Sequence, residues 1–211
     1  MEQKINGNIS GIRDVLLEEM KSLYDMDQPA GVFASRELLE ALCAFTGRIN
    51  REISVYISRA GLIKDVSVGD DRTVSMPEMR LVRNIDRLWG VRCIHTHPNG
   101  SGYLSDVDLG TLNAMRLDAM CAVGVKEGRP TSFYAAFVGE VVEEERKPLI
   151  YGPLRYDRLP QRGLLDAILE ADQRLKAPAV DVAGTKPERA ILVGIENNEG
   201  YDTLSELEEL A

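Results

Sequence analysis

A chain of 211 residues, 44% of them hydrophobic, is long enough to bury a core, and its net charge of −9, from 34 acidic against 25 basic side chains, withholds the general attraction to phosphate backbones on which DNA binding rests. No apolar run approaches the roughly 18 residues that cross a bilayer, and the first thirty residues are charged throughout, without the apolar stretch of a signal peptide, so a cytoplasmic chain that meets neither DNA nor a membrane is expected. The three cysteines, Cys43, Cys93 and Cys121, are too few and too scattered for a disulfide framework or a thiolate zinc knuckle, and Cys43 and Cys121 read as buried free thiols.

Residues 9–26, ISGIRDVLLEEMKSLYDM, space Ile12, Val15, Leu16 and Leu23 along one face of a helix, and DQPAG breaks the pattern. Ser35 then stands where it can cap a second helix, whose Leu38, Leu39, Leu42, Phe45 and Ile49 recur near the helical period. Met20 and Phe45 are expected in the core. From Arg51 the period changes to two: Ile53, Val55 and Ile57 alternate with Glu52, Ser54 and Ser58, and Ala60-Gly61 turns the chain into LIKDVSVG, which makes a hairpin. RTVSM and GVRCIHTH read as strands, SDVDLGTLNAMRLDAM as a helix, MCAVGV and TSFYAAFV as strands, and GLLDAILEADQRL as a last long helix. KAPAVDVAGTKPE has the composition of a linker, which puts a boundary near residues 176–188; beyond it RAILVGIE reads as an apolar strand and YDTLSELEELA as the start of an acidic helix. The expected fold class is α/β, a mixed sheet flanked by helices, with the second helix on one face and the helix after Asp108 beside the site described next.

Both histidines of the chain fall in one segment, CIHTHPNGSGYLSDVDL, residues 93–109. On a strand, His95 and His97 point the same way with Cα atoms about 6.5 to 7 Å apart, so two imidazoles can converge on one ion. The pair alone is as readily structural as functional. Pro98 ends the strand, the glycine-rich NGSGYL loops, and Ser105-Asp-Val-Asp108 opens a helix that returns a carboxylate toward the two nitrogens. Two nitrogens and a carboxylate suit a catalytic zinc site, whose fourth position is kept for water. Ser105 and Asp108 also read as a capping box, and a cap that fixes the ligand is compatible with the ligand role.

A zinc-activated water needs a proton acceptor outside the coordination sphere. Glu52, at the start of REISVYIS and on the parity opposite Ile53, Val55 and Ile57, is the candidate; the alternative is a solvated glutamate at a strand end. Glu37, Glu40 and Glu78 are rivals with weaker placement. Cys93 is in register with both histidines; as a fourth ligand it would close the ion, and otherwise it is core packing.

HTHPNGSGYLSDVD fits H-x-H-P-x6-S-x2-D and resembles the motif of JAMM or MPN+ metalloproteases and of the similar RadC-type domains, and REISVYISRAGLI resembles the glutamate-led strand that lies upstream of it in that family. The resemblance covers roughly residues 35–140. It implies the JAMM/MPN, cytidine deaminase-like architecture, zinc on His95, His97 and Asp108, Glu52 as general base, and a peptide or isopeptide substrate. It also implies Ser105 as a hydroxyl that steadies the carbonyl oxygen as negative charge builds there.

A second resemblance takes in the ends. INGNISGIRDVLLEEMKSLYD, the central REISVYIS, VRCIHTHPNGSG, LSDVDL and MRLDAM, and the terminal KPERAILVGIENNEG with TLSELEELA resemble the amino-terminal extension and first segment of HflX-type GTP-binding proteins of bacteria. This likeness implies a cytoplasmic protein that works on ribosomes, with GTP and Mg held only in a downstream GTPase domain, because no GxxxxGK[ST] loop occurs in these residues. The expected organisation is a helical segment at 1–34, a JAMM/MPN-like domain at 35–150, a helix and linker at 151–188, and the truncated start of the HflX-type domain at 189–211. Three functions are compatible with these residues: the leading portion of an HflX-type GTPase with a JAMM-like zinc domain, a zinc-dependent JAMM-type isopeptidase or peptidase in its own right, and a binding module that keeps the ligands without turnover. The oligomeric state is left open.

Overall fold

The patterned centre of the chain builds a single large sheet. The computed structural model describes residues 3–69, 87–142 and 145–176, all within one unit, Met1–Ala177. RTVSM, Glu78 and everything expected from Ala177 onward lie outside these residues. In chain order the elements are β1 (Ile5–Gly7), α1 (Asp14–Met20), α2 (Arg36–Ile49), β2 (Ile53–Ser58), β3 (Ile63–Val68), β4 (Val91–His97), α3 (Asp106–Met115), β5 (Ala119–Lys126), β6 (Arg129–Phe137), β7 (Val141–Val142), β8 (Glu145–Arg146), β9 (Leu149–Leu154) and α4 (Gln161–Lys176), with 3-10 turns at Lys21–Asp25 and Tyr156–Arg158.

Seven strands pair in the order β1-β3-β2-β4-β5-β6-β9, and β7 with β8 forms a separate hairpin. β1 runs parallel to β3 and β4 parallel to β5, while the other neighbours are antiparallel, so the sheet is mixed. A parallel pair cannot be closed by a tight turn, and α3 is the crossover that carries the chain from β4 to β5. No helix of the described residues is long and apolar enough to cross a membrane.

The first helix is shorter than its apolar spacing suggests. Gly7 and Gly11 take positive φ (81° and 76°), which no right-handed helix admits, so the chain is helical only from Asp14 and tightens into the 3-10 turn after Met20. Leu16, Met20 and Leu23 are buried, but Val15, counted on the apolar face, is 72% exposed. α2 follows its signals closely. Ser35 Oγ accepts the Leu38 N–H at 3.2 Å, and Asn50 in the left-handed region ends the helix. Leu38, Leu39, Leu42 and Cys43 are buried, and Phe45 is half-buried with the Arg48 guanidinium 5.8 Å from its ring centre.

Sheet parity then separates two faces. In β4, Arg92, Ile94 and Thr96 turn toward α2, where Thr46 Oγ1 lies 2.6 Å from Thr96 Oγ1, and Cys93, His95 and His97 turn the other way. α4 is tied back to the domain by polar contacts at both ends. Gln161 accepts the N–H groups of Phe33 and Ala34 at 2.7 and 3.1 Å, and Asp172 accepts that of Leu88 at 3.1 Å and pairs with Arg59.

Candidate metal centre

The register of β2 against β4 sets the site. Tyr56 faces Cys93 and Ser54 faces His95, and two residues further along the same face Glu52 comes beside His97, with Oε1 3.8 Å from His97 Nε2. On the other flank β5 places Ala122 next to His95 and Gly124 next to His97, side chains too small to cover the rings.

The loop after His97 lies flat on β5 and β6. Thr131 Oγ1 donates to the Gly100 carbonyl at 2.8 Å, and the Gly102 N–H donates to Ser132 Oγ at 3.2 Å. A Cβ at Gly124 would sit 2.7 Å from the Gly100 carbonyl oxygen and one at Gly102 3.0 Å from that of Ala122, so glycine is what permits this approach. The loop in turn orients a ring. His97 Nδ1–H donates to the Ser101 carbonyl at 3.0 Å, which leaves the Nε2 lone pair facing inward.

α3 supplies the carboxylate through its cap. The Ser105 N–H and Oγ–H both donate to Asp108 Oδ2, at 2.7 and 2.8 Å, and the Asp108 N–H returns to Ser105 Oγ at 3.2 Å. With Oδ2 so occupied, Oδ1 points at His95 Nε2, 3.3 Å away. His95 Nε2 is 2.9 Å from His97 Nε2, and His97 Nε2 is 3.8 Å from Asp108 Oδ2. All three residues are buried, and each offers one ligand atom within 4.8 Å of the others.

Zinc holds nitrogen and oxygen at about 2.0–2.1 Å, so tetrahedral donors lie about 3.3 Å apart. His95 Nε2 lies 2.9 Å from His97 Nε2 and 3.3 Å from Asp108 Oδ1, close to that spacing. The donor set of two imidazoles and one carboxylate therefore fits a zinc-type ion.

The electrostatics point to exchange of an ion for a proton. Burial opposes charge on His95, but the Asp108 carboxylate against Nε2, with Cys93 adding to it, overrides burial and holds the imidazolium up to about 10. Burial also works against ionisation of Asp108, yet His95 and the Ser105 donors hold its carboxyl well below the usual range. His97 is pushed down, by burial and then by the charge on His95.

The structure thus brings together His95, His97, Asp108, Ser105 and Glu52, the last outside the donor group. Cys93 is fully buried opposite Tyr56 and is not in that group. Cys43 and Cys121 are buried free thiols, and burial pushes the Cys43 thiol up to about 12. Of the rival glutamates, Glu37 and Glu40 belong to α2, across the sheet from the rings, with Glu40 paired to Arg36 at 2.7 Å. Sequence reasoning missed the Ser101 carbonyl, Thr131 and Ser132 as supports, although the glycines of NGSGYL carried the signal that this loop packs tightly.

No protein-family model and no curated protein matches this chain. Among solved structures, it is similar to the solution structure of a protein from Salinibacter ruber (strain DSM 13855), with 13% sequence identity and a TM-score of 0.30 over 50% of this chain and 80% of that one.

Proposed function

We propose that this chain carries a zinc-dependent hydrolase site of the JAMM/MPN kind, acting on a peptide or isopeptide bond. One observation carries the reading: two Nε2 atoms and a carboxylate oxygen converge at buried positions while a second carboxylate, Glu52, stands 3.8 Å from His97 on the same face. The JAMM/MPN architecture is supported by the parallel β4–β5 pair with α3 between, which sets His97 at the end of a strand and Asp108 in the first turn of the next helix.

His95, His97 and Asp108 would hold the ion. Zinc there supplies Lewis acidity, polarising a carbonyl and acidifying a water molecule. Glu52 takes the proton of the attacking water and delivers it to the departing amine, the two duties of one general acid–base group. Ser105 holds Asp108 by two hydrogen bonds; its hydroxyl proton turns to the substrate oxygen only by leaving Oδ2, which keeps the Ser105 N–H. His97 keeps its tautomer through Ser101.

The test is metal content and turnover of a model isopeptide. About one zinc per chain is expected, and Glu52→Gln should keep the zinc while losing roughly 100-fold or more in kcat, the usual share of a general base. Zinc bound with hydrolysis indifferent to Glu52→Gln sinks the reading.

The likeness of both ends of the sequence to HflX-type proteins supports a second proposal compatible with the first, that the chain is the leading portion of a cytoplasmic GTP-binding protein that meets the ribosome through its full-length form. Co-sedimentation of that form with ribosomes in the presence of GTP checks it.

A further inference from the structure

Thr96 lies between the two histidines in sequence and turns to the opposite face. It is fully buried under α2. Its hydroxyl oxygen accepts the Ile53 N–H at 2.9 Å, lies 3.4 Å from the Ile53 carbonyl oxygen and 2.6 Å from Thr46 Oγ1. The paired residues of β2 and β4 run only as far as Ser54 and His95; Ile53 and Thr96, next in register, are joined through the threonine side chain instead. A side-chain hydroxyl thus continues the ladder one step past its end.

That step falls on the peptide unit that joins Glu52 to Ile53. Its N–H goes to Thr96 and its carbonyl accepts the Gly69 N–H at 2.9 Å, so the unit is gripped from both sides. The grip on one side springs from the middle of His95-Thr96-His97, so the backbone next to Glu52 is tied to the strand segment that carries both histidines. Thr46 fixes the same hydroxyl from α2, which runs directly into this turn through Asn50 and Arg51.

We propose that Thr96, backed by Thr46, is the positioning residue that sets the Glu52 carboxylate against His97. The inference rests on the hydrolase reading and deepens it. Valine at 96 keeps the shape and strand preference of threonine and removes the hydroxyl, whereas serine keeps the hydroxyl.

The experiment loads the full chain with cobalt(II) and measures paramagnetic relaxation of the Glu52 carboxyl carbon, together with turnover of a model isopeptide by the zinc form. Wild type and Thr96→Ser should show equal relaxation. Thr96→Val should show at least threefold less, with a kcat at least tenfold lower and KM and metal affinity changed by less than about threefold. Relaxation and kcat unchanged in Thr96→Val overturn the inference, as does failure of Thr96→Ser to restore them. If Thr96→Val does not fold, Thr46→Val carries the same test, with a weaker drop in both readings expected and no change in either counting against the role. Glu52→Gln separates the failures: zinc bound with turnover unaltered by Glu52→Gln defeats the hydrolase, while turnover lost in Glu52→Gln but kept in Thr96→Val defeats only the threonine's part.

Discussion

The protonation of His95 is where the site can be tested without turnover. Its imidazolium is held up to about 10 against an ordinary 6.5, so its contribution to folding is fully present below 6.5 and is lost as pH rises through about 10. Asp108 is shifted the other way, so its contribution is present above 3.8 and is lost as pH falls. The pair therefore stabilises the metal-free chain most between these two ordinary values. Zinc needs the His95 lone pair and must expel that proton, whereas His97, pushed down, has none to give at neutral pH. Calorimetry at pH 7 in buffers of different ionisation enthalpy should find close to one proton released per zinc, and affinity should rise about tenfold per pH unit until His95 deprotonates unaided. Binding at pH 7 with no proton release would mean that His95 is neutral and the ion pair absent. Strand parity made His95 and His97 legible as one face and set Glu52 apart from Ile53, Val55 and Ile57, while the resemblance to the glutamate-led strand is what joined Glu52 to the pair. The division of labour between the two oxygens of Asp108 was not legible, because it depends on where Ser105 puts its proton.

Among the elements, α3 couples fold to ligand most directly. Ser105→Ala removes the cap of this helix at about 0.5–2 kcal/mol and one of the two donors that hold Asp108 Oδ2. Loss of a group that orients a ligand typically lowers metal affinity 10–100-fold; Ser105→Ala should weaken zinc within that range, read by competition with a chelating dye, and an unchanged affinity would show that the remaining Ser105 N–H suffices. The motif spacing made this cap readable, as Ser35 did for α2 and the period-two run for β2 and β3. Elements without a period stayed hidden. β1 has three residues and is a strand only because β3 offers it an edge. β9 was unreadable because Gly152-Pro153 interrupts its pattern, and it pairs with β6 through an irregular register beside Tyr134. The leading helix is shorter than its apolar spacing because Gly11, at positive φ, delays the start to Asp14.

At the level of the whole molecule, the question is whether the ion builds the fold or the fold builds the site. The candidate ligands are held by the protein itself: the strand register places His95, Ser101 orients His97 and Ser105 holds Asp108, while Thr96 accepts the N–H of Ile53, the residue after Glu52. Beneath them the stripe of α2 is closed against the other face, with Leu38, Leu39 and Leu42 at 0% exposure, a core of the kind that small zinc modules lack and replace with metal. The chain treated with a chelator should therefore keep its far-ultraviolet circular dichroism and a cooperative melt. Zinc at about 100 times its Kd then adds about 2.7 kcal/mol by mass action, which for a unit of this size raises Tm by about 5–11 °C. Asp108→Asn should abolish that rise while leaving the melt cooperative, since Oδ1 is the donor that an amide replaces poorly. A chain that unfolds on chelation would reverse the order of cause, making the ion a structural staple and removing the grounds for an open catalytic position.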